Sequence, residues 1–207
     1  GLIHYAKYLR IRELKGGDQT LHDMLSVNLL VGNKADWPDE KDTLNIKQIK
    51  KMRPVEPKEG VYSIQDDQRS ILEMKVKDLE GSRLFAGALL CSDNGNVSAV
   101  WPREGARPTF KSNRTTYVDY NHRSNPLERT LRQDQQSSFY TLKLITYTAA
   151  NDSRPIDLQG FEQADTVQDV FAFQILAFTR ATLPSERPSG YYIWNFRIAR
   201  TASPTTP

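Results

Sequence analysis

The residues best suited to chemistry in this chain are a single cysteine, Cys91, and three histidines, His4, His22 and His122. A cysteine nucleophile needs a thiolate beside a base, usually a histidine held by a third group. Cys91 closes the apolar run Leu84 to Leu90 and leads into Asp93-Asn94-Gly95-Asn96, a setting where a lone cysteine packs as a small buried hydrophobe. No local pattern ties it to a histidine, so a Cys–His dyad is not expected. The same four residues make a poor zinc set, because no two fall at a spacing that puts both on one face of an element. Asp66-Asp67 and Asp93-Asn94-Gly95-Asn96 resemble pieces of calcium loops. Neither continues into the full loop with its bidentate glutamate, and both read as turns.

No Gly-rich phosphate loop, Gly-x-Ser-x-Gly or zincin pattern occurs in the sequence. Carboxylates brought together from distant positions could still drive glycoside hydrolysis, but no spacing selects a pair. The expectation is a protein without catalytic, cofactor-binding or metal residues.

Lys and Arg number 28 against 25 Asp and Glu, and both signs are interspersed, so the net charge of +3 names no partner. The densest basic stretch carries Lys47, Lys50, Lys51 and Arg53 and reads as a solvated face. With no reading module beside it, nucleic acid is not an expected partner. Tyrosine and arginine are enriched at protein interfaces. Tyr117, Tyr120, Arg123, Arg129, Arg132 and Tyr191 are therefore the candidate interaction surface, with the three arginines in the long polar stretch Asn121 to Ser138. The bland alternative for the tyrosines is cross-strand pairing or capping of the core.

The elements that would position these residues are mostly strands. Leu25, Val27, Leu29 and Val31 share one face with Ser26 and Asn28 on the other, and Leu72, Met74 and Val76 alternate with Glu73, Lys75 and Lys77. Tyr140, Leu142 and Leu144 alternate with Thr141 and Lys143, and Tyr192, Trp194, Phe196 and Ile198 share a face opposite Asn195 and Arg197. Asn94-Gly95 between the apolar runs of Leu84 to Trp101 signals a hairpin. Thr109 to Tyr120 suits an edge strand and Val170 to Phe178 a buried one. Leu2, Tyr5, Ala6 and Leu9 allow a short opening helix stopped by Gly16-Gly17, although the apolar repeat fails at Arg12. Thr43 to Lys51 satisfies neither period.

Seven or eight strands at short intervals predict a mainly β fold, a jelly-roll or immunoglobulin-like β-sandwich with one or two short helices. One domain over 1–200 and a frayed tail over 201–207 are expected, and the start at Gly1 suggests a piece of a longer product. Only one cysteine, no apolar run of spanning length and no signal-peptide core suggest a soluble, cytoplasmic setting. Three Asn-x-Ser/Thr tripeptides, at Asn96, Asn113 and Asn151, weigh little against it. The expectation for function is a structural protein that assembles with itself or docks a protein partner, like viral coat or matrix proteins. Fold-level analogy alone supplies that comparison. The alternatives are an adaptor module of a larger intracellular protein and a carbohydrate-binding module.

Overall fold

The computed structural model describes residues 8–9, 11–37, 45–103, 108–121, 137–149 and 188–203. In chain order its strands are β1 (Gly16–Gly17), β2 (Leu25–Asn33), β3 (Arg53–Pro54), β4 (Val61–Gln65) and β5 (Gln68–Val76). They continue with β6 (Arg83–Ser92), β7 (Val97–Trp101), β8 (Arg114–Val118), β9 (Ser137–Ala149) and β10 (Pro188–Thr201). Two short helices, α1 (Gln19–Met24) and α2 (Ile46–Ile49), interrupt them, and residues 8–9 and 11–13 are also helical.

The strands form two sheets. The larger runs β1-β10-β9-β6-β7, with β4 also bonded to β10, and the smaller runs β3-β2-β5-β8. Pairing is antiparallel throughout except between β4 and β10, which run parallel. The mainly β expectation therefore holds, as two antiparallel sheets with short helices.

Alternation decides which residues meet. In the smaller sheet Leu29 lies opposite Leu72, and Val27 opposite Met74. In the larger sheet Leu142 lies between Leu90 and Phe196, and Leu144 between Ala88 and Trp194. Leu29, Leu72, Met74, Val118, Leu90, Leu142, Leu144, Phe196 and Ile198 belong to one hydrophobic cluster drawn from both sheets. Burying each such side chain contributes about 1.5–3 kcal/mol, so this shared inner layer dominates the stability.

Both sheets also have covered outer faces. On the smaller sheet, Ile49 of α2 packs against Leu30 and Ile71. On the larger one, Tyr8 and Ile11 pack against Leu89, Cys91, Ile145 and Ile193. Arg12, where the apolar repeat fails, is exposed.

Local chemistry explains the joints. Asp18 starts α1 by accepting from the N–H of Thr20 at 2.8 Å and of Leu21 at 3.4 Å. Asn45 does the same for Lys47 at 2.9 Å, giving the stretch Thr43 to Lys51 its short helix. Gly16-Gly17, expected as a helix stop, instead pair with Ile193 and Tyr192 of β10. In the β6–β7 hairpin, the Gly95 N–H donates to Ser92 O at 3.0 Å, and Gly95 takes φ +92°, a backbone state that favours glycine. The expected strand Val170–Phe178, the opening residues 2–7 and the tail beyond 203 lie outside the described residues. Among the described residues, no helix is long and apolar enough to cross a membrane.

Candidate protein-binding surface

The outer face of the larger sheet holds an unusual group. Lys143 on β9 lies between Leu89 of β6 and Asn195 of β10 in the strand register, and its side chain is fully buried. Its ammonium donates to Asn195 Oδ1 at 2.7 Å and to the backbone oxygen of Leu14 at 2.6 Å. Asn195 Nδ2 donates to the same oxygen at 3.1 Å. Burial brings the Lys143 pKa down to about 8, the thiol of Cys91 opposing the shift and Arg12 adding to it.

Residues 8–9 and 11–14 thus lie across the sheet and are fastened at both ends. At one end the Tyr8 hydroxyl donates to Ser92 O at 2.6 Å, and at the other Leu14 meets Lys143 and Asn195. Beneath them Cys91 is fully buried, and burial pushes its thiol up to about 11. That shift suppresses the thiolate a nucleophile needs. His22 stacks on Trp194 at 4.6 Å between ring centroids, on the inner side of β10, whereas Cys91 clusters with Ile193 on the outer side. The sheet therefore separates this cysteine from this histidine, and His4 and His122 lie outside the described residues.

Three cations are buried among the described residues: Arg69, Lys143 and Arg200. Arg69 Nη2 bonds Asp119 Oδ2 at 2.9 Å, and Arg200 Nη2 lies 2.7 Å from Asp66 Oδ1. Lys143 differs from both, because its partners are neutral oxygens. Uncompensated buried charge is costly and clusters at functional positions.

The three tyrosines of the candidate surface read from the sequence, which are its described members, lie apart. Tyr120 is fully buried between the sheets, its hydroxyl bonded to Ser70. The expected surface role for its side chain is thereby corrected to a core role, because its alternation carries it to the inner face. Tyr117 packs with Leu30, Ile49 and Ile71 outside the smaller sheet. Tyr191 packs outside the larger one, beside the stacked rings of Phe85 and Tyr147. Arg123, Arg129 and Arg132 lie outside the described residues.

The other motifs are structural. Asp66 pairs with Arg200, and Asp93 receives a two-pronged hydrogen bond from Arg197 at 2.8 and 2.9 Å. That bond holds the Asp93 carboxyl below its ordinary value. Lys51 of the basic stretch lies 2.7 Å from Asp36. No group of three or more metal-ligating side chains occurs among the described residues.

Sequence reasoning missed Lys143, which alternation put on a polar face with Thr141. The signal was on the same face: Lys143 is followed there by Ile145 and Tyr147, an apolar pair that predicts a cover on that side too.

What these residues define is a mainly β protein built on two sheets. No family model, curated protein or solved structure matches the chain, so its own geometry carries the functional argument.

Proposed function

We propose that this chain is a non-enzymatic structural protein that assembles with itself or docks a protein partner, coat-like or matrix-like in kind. The observation that carries the reading is the edge of β7. Among the described strands β7 bonds to β6 alone. The Ser92 N–H donates to Asn96 O at 2.9 Å. By the alternation of antiparallel ladders, Ser98 then faces β6, while Val97 and Ala99 turn their N–H and C=O groups outward. The strand reads Val-Ser-Ala-Val-Trp and lacks the lysine or proline that commonly guards an edge. Such an edge accepts another strand through main-chain hydrogen bonds.

The reading takes the two sheets as an immunoglobulin-like sandwich. In its support, the order β2-β5-β8 corresponds to strands A, B and E, and β10-β9-β6-β7 to G, F, C and C′. One domain over 1–200 is part of the reading, supported by a single cluster that draws on residues from Leu21 to Ile198. A cytoplasmic setting is also part of it, supported by the free thiol of Cys91.

Light scattering over a wide concentration range, at low and high salt, tests this reading, with electron microscopy of what forms. Discrete particles or arrays that weaken in Ala99→Lys are expected. A monomer at every concentration and salt would overturn self-assembly and favour the adaptor reading.

A further inference from the structure

The segment over the larger sheet is held by its own contacts, apart from the inner layer. Its apolar contacts form a cluster of their own, Tyr8, Ile11, Leu89, Cys91, Ile145 and Ile193, separate from the cluster between the sheets. It joins the fold through Gly16 and Gly17, at φ +70° and +138°, a joint that only glycine adopts without strain. Lifting it would leave the inner layer intact, and local opening of that kind costs less than global unfolding.

Lifting it would also uncover the apolar residues around Lys143, on a face whose other cation, Arg197, is already bonded to Asp93. Lys143 is satisfied there by a backbone carbonyl and an amide oxygen, neither of which neutralises it. The other two buried cations each have a carboxylate, which supplies the opposite charge that favours the charged form of a buried group and that Lys143 lacks. An occupant with apolar side chains and a suitably placed carboxylate would satisfy the face more fully than residues 8–9 and 11–14 do.

We propose that residues 8–9 and 11–14 act as a displaceable strap, and that the face beneath them docks an apolar peptide segment of a protein partner through a carboxylate on Lys143. This rests on the partner-docking reading and uses the outer sheet face rather than the main-chain edge of β7, whose Val97 and Ala99 side chains adjoin that face.

The probe is an acetylated, amidated peptide of alternating Val and Asp, compared with the same peptide carrying Asn in place of Asp. Both are titrated against the full chain at neutral pH and followed by hydrogen exchange. The Asp peptide is expected to bind at least about tenfold more tightly, corresponding to ~1.4 kcal/mol. It should also speed exchange in residues 11–14 while Leu89 to Cys91 stay protected. Lys143→Met, with Lys143→Gln as a second variant, should abolish the preference for Asp.

Ile11→Ala loosens the strap and should tighten binding of the Asp peptide. Labelling of Cys91, the only cysteine, by iodoacetamide in the absence of peptide reports that loosening. Equal binding of the two peptides overturns the proposal, as does absence of binding to an Ile11→Ala chain whose Cys91 labels rapidly. Light scattering on the same samples keeps the readings apart, since assembly without peptide binding sinks only the strap.

Discussion

Lys143 and Asn195 face each other across the β9–β10 ladder, and both donate to one carbonyl oxygen, that of Leu14. A lysine held this way is charged at neutral pH only at the expense of its lost hydration. Its pKa is brought down to about 8 from 10.5, so the unfolded chain binds more protons between those values and stability rises with pH across that window. Below pH 8 the penalty is fully present. Cys91 acts in the opposite sense. Its thiol is raised from 9.0 to about 11, so it contributes stability that is complete below pH 9 and lost as pH climbs through 11. Arg12 is the other charged neighbour of Lys143.

Lys143→Met should therefore stabilise the protein near pH 7, by an amount on the order of 3 kcal/mol from the size of the pKa change. The advantage should shrink between pH 8 and 10.5. Urea unfolding of both chains at several pH values checks this, and a difference that stays flat with pH would refute it.

Two ion pairs of nearly equal length should differ in worth. Arg69–Asp119, at 2.9 Å, has both side chains about nine-tenths buried, whereas Arg197–Asp93, at 2.8 Å, is 31% and 44% exposed. Asp119→Ala strands a buried guanidinium and should cost about 3–5 kcal/mol. Asp93→Ala should cost only about 0.2–1 kcal/mol, and less in high salt. Denaturant midpoints for the two variants decide the matter.

Tyr120→Phe keeps the ring in the inner layer but removes the partner of the buried Ser70 hydroxyl. A loss of about 1–3 kcal/mol is expected for the group left unsatisfied. The double variant Tyr120→Phe, Ser70→Ala should recover part of it, and a loss unchanged in the double variant would show that the hydroxyl pair is not its source.

Gly17→Ala puts a Cβ 2.2 Å from the backbone oxygen of Tyr191, at φ +138°. No side chain can yield there, so β1 should detach from β10. The expected cost is about 1–3 kcal/mol, together with faster labelling of Cys91. A chain labelled as slowly as the parent would show that the strap does not depend on this joint.

The strands were legible where one face is polar. In Leu25 to Val31 and Tyr192 to Ile198 the inner positions are apolar and most outer ones polar, and the exceptions, Leu30 and Ile193, are the outer positions that Ile49 and the Tyr8–Ile11 pair cover. The short helices were not, since α2 is four residues long and depends on the Asn45 cap and on docking of Ile49. Nor was Lys143, because alternation shows which side a residue takes and not whether that side is covered. Tyr120 misled for the complementary reason: a tyrosine with a buried hydroxyl partner reads in sequence like one at a surface.

Strand β10 is bonded to β9 along one side and to both β1 and β4 along the other. During synthesis the ribosome therefore releases Gly16–Gly17 and Val61–Gln65 long before the strand that joins them. Until residue 201 has left the exit tunnel, Leu142 and Leu144 lack their neighbours Phe196 and Trp194. A nascent chain halted short of that point would carry exposed apolar surface, the kind of species that chaperones bind and that aggregates when they do not.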